Sequence, residues 1–200
     1  MNNSILNIND LPSIDEVKKV SQALALVDAI IMPEWEYRFF SFNGNWDGNS
    51  GEMMASMRDG SGIEYFIHFT KNGVAGKVLY DKQLSDASKF LLCVPESFST
   101  FKNEPAFGLD KATFFFWREK DNSTWESSPN NLACYPLLDF LAGGFENYLD
   151  WAENYYEKNI DHDVLKNVFT SLTINTSQLS ILNPTLSLKE LHDDINEILQ

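Results

Sequence analysis

Hydrophobic positions repeat with two different periods along this chain. Ile14, Val17, Val20, Leu24, Val27 and Ile31 recur at intervals of three and four, which places them on one face of a helix over residues 13–30. Ser13 followed by Glu16 is a capping-box sequence at its start, and Pro33 closes it. Residues 1–12 carry no such pattern and read as a loose lead-in. Beyond Pro33 the period shortens to two. Glu36–Phe42 reads as an aromatic strand, Asn43–Gly51 as a loop and Glu52–Arg58 as the next strand. After a turn at Asp59–Gly62, Ile63, Tyr65, Ile67 and Phe69 alternate with Glu64, Phe66, His68 and Thr70. Asn72-Gly73 then carries a hairpin signal into Val74–Tyr80.

Leu84–Pro95 and Glu96–Phe107 read as helix and loop. Ala112–Glu119 is a further strand, with Thr124–Glu126 returning beside it. After Ser127–Leu132 the pattern turns helical. Leu138, Leu141, Phe145, Tyr148, Ala152 and Tyr155 share a face, with Gly143-Gly144 as a break near its start. Val164–Leu172 is a shorter helix, and Leu186–Leu199 a terminal one with Ser187 and Glu190 as its capping box. The expected fold class is α+β: an N-terminal helix, an antiparallel sheet of about five or six strands, and a helical C-terminal part. The polar stretch Thr173–Pro184 is the linker candidate. It divides a single domain over 1–172 from a linker and terminal helix over 173–200 that packs on it.

Composition narrows the classes. A chain of 200 residues with 44% hydrophobic and 14% aromatic content has material for one core, and it lacks the signature of disorder. The longest apolar run, Ala23–Met32, is interrupted by Asp28 and is shorter than the about 20 residues a membrane helix needs. Residues 1–10 have neither the basic nor the apolar region of a secretory signal, so a cytoplasmic location is expected. Cys93 and Cys134 lie in apolar company and read as free core thiols. The net charge of −14 argues against direct nucleic-acid binding.

Candidate chemistry is sparse. None of His68, His162 and His192 pairs with another at i+3 or i+4. In Asp161-His162-Asp163 and His192-Asp193-Asp194, adjacent side chains on a helix point apart. Asn43–Gly48 imitates the opening of a calcium loop, but its twelfth position is Met54 where a bidentate glutamate is required. Gly60-Ser61-Gly62 lacks the nucleophile-elbow pattern, and no phosphate- or dinucleotide-binding glycine motif occurs. No metal, cofactor or catalytic residue is assigned. A hydrolase using a carboxylate pair stays as an alternative, because 29 acids offer many pairs and single out none.

Acid is the unusual feature. Asp139, Glu146, Asp150, Glu153, Glu157, Asp161 and Asp163 face Lys158 as the only base in their stretch. Glu146, Asp150, Glu153 and Glu157 fall at i, i+4, i+7 and i+11, a charged stripe beside the apolar face. Such a stripe is either solvated surface or a docking face that steers a basic protein. The candidate partner-binding residues are Glu146, Asp150, Glu153, Glu157, Asp161 and Asp163. Trp46 and Asp47 of the aromatic loop join them, with Trp46 as an anchor and Trp151 as a further aromatic candidate. A nucleic-acid-mimicking inhibitor would use the same stripe. The oligomeric state is left open.

Met32–Asn43 together with Gly51–Gly60 resembles segments of small uncharacterised bacterial proteins over roughly residues 30–80. More distantly, Met32-Pro33, Tyr37 and Asn43-Gly44 resemble the Leu-Pro, Tyr and Asn-Gly positions of the SUKH superfamily of immunity proteins, and Phe145–Leu149 is similar to its late helix. Here Met replaces Leu, the spacing is shifted, and Tyr37–Phe42 reads as strand where those proteins are helical. The resemblance implies a protein that binds and neutralises a toxin.

Overall fold

The computed structural model describes residues 5–49, 51–80, 87–130 and 132–200. Helix α1 (Ile14–Ile31) begins at Ser13, whose hydroxyl accepts the Glu16 N–H at 3.3 Å. From Val20 onward it is buried all round, Ser21, Gln22 and Asp28 included, so it is a central helix and not a one-faced surface helix. The strands are β1 (Phe40–Asn43), β2 (Met53–Arg58), β3 (Glu64–Thr70), β4 (Gly73–Leu79), β5 (Phe114–Glu119) and β6 (Glu126–Ser127). They form a six-stranded antiparallel sheet in the order β1-β2-β3-β4-β5-β6. Among the described residues two short helices, α2 (Ala87–Leu91) and α3 (Ser99–Lys102), fall between β4 and β5. The chain ends in α4 (Asp139–Ala142), α5 (Gly144–Tyr156), α6 (His162–Ser171), α7 (Thr176–Leu182) and α8 (His192–Leu199). The architecture is α+β.

Both sheet faces are covered, by different material. On the first face Phe40, Met57, Tyr65, Ile67, Val78 and Phe116 join the core made with α1 and the C-terminal helices. On the second, Phe66, Ala75, Phe115 and Trp117 pack against Phe98, Phe101 and Phe107 from the segment between β4 and β5. Double coverage explains why β4 is buried at every position rather than alternating. It also buries Lys77, and α1 buries Asp28; both have partners. Lys77 on the second face reaches Glu64 at 2.7 Å and the carbonyls of Gly108 and Lys111 at 3.1 and 3.3 Å. Asp28, in the first core, accepts the N–H groups of Phe39 and Phe40 at 2.7 and 3.0 Å and the hydroxyls of Tyr148 and Tyr156 at 3.0 and 2.8 Å. Burial pushes its carboxyl up to about 6 against the pull of these four donors.

Several local expectations are corrected. The described part of the lead-in is anchored. Ile5 bridges Tyr135, Ile5, Ile8 and Leu11 are buried, and Asn7 with Asp10 closes a capped 3-10 turn. The strand expected from Glu36 starts at Phe40, because Trp35–Tyr37 forms a 3-10 turn. The linker candidate contains α7, capped by an Asn175–Gln178 box, and buried Asn183 donates to the Ile30 carbonyl at 2.8 Å. The Ser187–Glu190 box closes a turn before α8 rather than starting the helix. Cys93 is exposed and Cys134 half-buried, so neither is a core thiol. The helix expected from Leu84 is seen from Ala87, its earlier residues lying outside the described ones. The β3–β4 hairpin pairs Thr70 with Gly73, so its loop is Lys71-Asn72 and Gly73 belongs to the strand. There φ is +132°, and a Cβ would lie 2.2 Å from the Arg118 carbonyl. The glycine is required by the close approach of β5 as well as by the turn.

Candidate partner-binding surface

The acidic residues are placed by the helices that follow the sheet. Gly144, at φ +62°, separates α4 from α5. Glu146 and Asp150 are exposed on α5, but Glu153 is half-buried and its Oε1 accepts the Ile160 N–H at 3.0 Å. Helix α5 ends at Tyr156, and Glu157 follows in a left-handed conformation with φ 51°. The four-residue stripe is therefore shortened: Glu157 leaves the helix and Glu153 ties down the turn before α6. Asp161 caps α6, accepting the Val164 N–H at 2.9 Å, and exposed Asp163 lies 3.2 Å from the His162 ring. Lys158 does not neutralise the set. Its ammonium donates to the Ile31 carbonyl at the end of α1, at 2.8 Å. Trp151 stands half-buried among Phe39, Phe40, Phe140 and Tyr148, and Tyr155 stacks on it at 5.1 Å, half of its surface exposed.

Beside this helix lies a feature the sequence pattern hides. Glu34-Trp35-Glu36-Tyr37 is an exposed turn, with Trp35 58% and Tyr37 62% exposed. Arg38 holds it rigidly. The Arg38 Nε donates to the Met32 carbonyl at 2.9 Å, Nη2 to the Pro33 carbonyl at 2.6 Å, and the two terminal nitrogens grip Asp194 of α8 at 2.5 and 3.0 Å. The next residue, Phe39, packs 4.8 Å from the exposed Tyr155 ring, which joins the turn to the end of α5. On its other side Trp35 carries the Arg58 guanidinium at 5.0 Å. Tryptophan and tyrosine held out in water by a clamped backbone lose little freedom on binding, so this turn is pre-organised for contact. Only Glu36 and Tyr37 of it fall in the strand that the period-two pattern predicts over Glu36–Phe42. The cue was the order of that alternation, acid–aromatic–acid–aromatic straight after a proline, which is too polar for a buried strand.

Trp46 and Asp47 lie together in the β1–β2 connection, apart from the acidic helix. Trp46 is half-buried. Its indole N–H donates to Glu104 at 3.2 Å, and its ring stacks on Phe107 at 5.8 Å. Asp47 is exposed and organises the loop by accepting the N–H groups of Asn49, Gly51 and Glu52. Slight desolvation of Asp47 is outweighed by these donors, which hold its carboxyl below the ordinary range. A groove of about 260 Å³ runs between Trp35 and Trp46 over Ser41, Ser56 and Phe66. Behind the loop, His68 is 1% exposed and its Nε2 sits 3.0 Å from Glu52, poorly aligned for a hydrogen bond. Desolvation lowers its pKa, while the negative charges of Glu52, Glu104 and Asp47 act the other way. Among the described residues no cluster of three metal-ligating side chains occurs. The buried acids Asp28 and Asp139, both raised by desolvation, are core groups. Comparison with protein families, with curated proteins and with solved structures finds no match to this chain.

Proposed function

We propose that this chain is a protein-binding module that covers a basic partner with an acidic, aromatic surface, and that the partner is a toxin which it neutralises in the manner of an immunity protein. The observation that carries the reading is the clamped turn Glu34–Tyr37, whose two exposed aromatic rings each follow an acid, Glu34 or Glu36, and whose chain continues into Phe39 against Tyr155 of α5. Aromatic anchors supply the affinity of such an interface, and the surrounding charge supplies encounter rate and selectivity. Exposed Glu146, Asp150, Glu157, Asp161 and Asp163 extend the negative field along the same helices. The resemblance to SUKH immunity proteins points to the toxin.

The test is affinity capture from cells of the native host with the wild-type chain and with Trp35→Ala/Tyr37→Ala. The captured protein is then identified, and its association is measured at two salt concentrations. A basic protein held by the wild type and lost by the variant is expected, with association slowing as salt rises. Equal capture by both chains overturns the role of the turn. A captured partner that is acidic overturns the charge argument.

A further inference from the structure

Charge is not spread evenly over this acidic chain. Four cations from three separated segments, Lys18, Lys71, Arg118 and Lys120, line one cavity of about 400 Å³, with Asp15 as the only carboxylate in its described lining. Lys18 comes from the first turns of α1, Lys71 from the β3–β4 loop, Arg118 from the end of β5 and Lys120 from the turn just after it. Antiparallel pairing of β4 with β5, which sets Gly73 opposite Glu119, brings the last two beside the loop. Arg118 is fixed in place: its Nε donates to the Asn122 carbonyl at 2.9 Å and its guanidinium lies 5.9 Å from the Trp125 ring. Among the described residues none of the four has an ion-pair partner. The cavity floor is apolar, built by Ile14, Met53, Phe69 and Val74.

We propose that this cavity is a binding site for a small amphipathic dianion, namely a phosphomonoester carried on an apolar or aromatic body. The cations exceed the single acid by enough to hold two negative charges, which one guanidinium alone would not do. Apolar lining gives the body a surface to bury, at roughly 25 cal/mol per Å². A nucleic acid is the wrong shape and size for the site, because a long polyanion would run onto the rest of a chain whose net charge is −14. The site stands apart from the protein-binding surface and does not depend on that reading.

The test uses three probes on the full chain by calorimetry: 1-naphthyl phosphate, inorganic phosphate as head alone, and 1-naphthol as body alone. The ester is expected to bind at least roughly tenfold more tightly than either part, and to weaken as salt rises from about 0.05 to about 0.3 M. Lys71→Gln/Lys120→Gln alters exposed side chains only. It is expected to weaken the ester roughly tenfold or more at an unchanged melting temperature, while naphthol binding stays as it was. Lys18→Gln, on α1, is expected to weaken it too. Naphthol binding as tightly as the ester, or phosphate binding as tightly as the ester, overturns the proposal. So does unchanged affinity in the double variant. Binding of a poly-glutamate peptide without binding of the ester also overturns it, and assigns the cavity to an acidic protein segment instead.

Discussion

The acidic helices and the basic cavity carry opposite charge, and they are built in opposite ways. Glu146 and Asp150 are brought side by side by one turn of α5, and Asp161 and Asp163 by the start of α6, so each pair is local in sequence. Lys18, Lys71, Arg118 and Lys120 span about half the chain and meet only because a hairpin loop and a strand end converge beside α1. Charges that are local in sequence need only a helix to form a surface. Charges that are distant need the whole sheet, so the cavity shares the stability of the fold while the acidic face depends on how α5 is anchored. Beside the apolar packing of Tyr148, Trp151 and Ala152, that anchor includes Asp28, through Tyr148 and Tyr156.

Removing the anchor is the largest perturbation on the acidic side. Asp28→Ala leaves two buried N–H groups and two tyrosine hydroxyls without their acceptor, and it is expected to destabilise by about 4 kcal/mol in urea unfolding. If α5 were held by apolar packing alone, the loss would stay near that of an ordinary cavity. On the basic side the comparable change is Gly73→Val in the cavity wall. Its Cβ would collide with the Arg118 carbonyl at a positive φ, and a loss of about 3 kcal/mol is expected. An unchanged melting temperature would remove the close strand approach from the description of the cavity.

Acidity separates the two regions further. Asp28 is raised in the folded state from 3.8 to about 6, so the native chain holds its proton more tightly than the unfolded one. Its stabilising contribution is full below pH about 3.8 and is lost as pH rises through about 6, a change of about 3 kcal/mol. The stability of the wild type minus that of Asp28→Asn is therefore expected to fall over that window. The other shifted carboxyls, such as Asp47 and Asp139, are common to both proteins and cancel. A flat difference would show that the four donors offset desolvation completely.

The smallest effect on stability is expected from Glu146→Lys/Asp150→Lys. Both side chains are exposed, and the melting temperature should shift by no more than about 0.5 kcal/mol of stability allows. Association with the captured partner should nevertheless slow by about tenfold at low salt. Reversal that leaves the rate unchanged would reduce the acidic face to solvated surface and leave the turn at Trp35 as the contact.

Much of this was legible in the linear pattern. Period-two alternation at Ile63–Thr70 marks β3, and period 3.6 from Ile14 marks α1, since each period follows from how side chains project from its element. The glycine pair after Ala142 marks the break between α4 and α5 for an equally local reason. The candidate surface was legible in part. Glu146 and Asp150 stand exposed as their spacing implies, but Glu153 became a local acceptor and Glu157 left the helix. Trp46 turned inward to Glu104 and Phe107, partners brought from about sixty residues away.

What the sequence by itself determined is the N-terminal helix, the run of antiparallel strands, the α+β class and the placement of acid on the last third of the chain, because periodicity, capping and local charge act over a turn or two; it missed α3 and α7. Only the tertiary structure decided which aromatic residues stay in water, where Asp28 and Lys77 find partners, and that four cations share one cavity. Those outcomes depend on contacts between segments far apart in the chain, and a hydrogen bond or ion pair leaves no mark at either end until the fold brings both ends together.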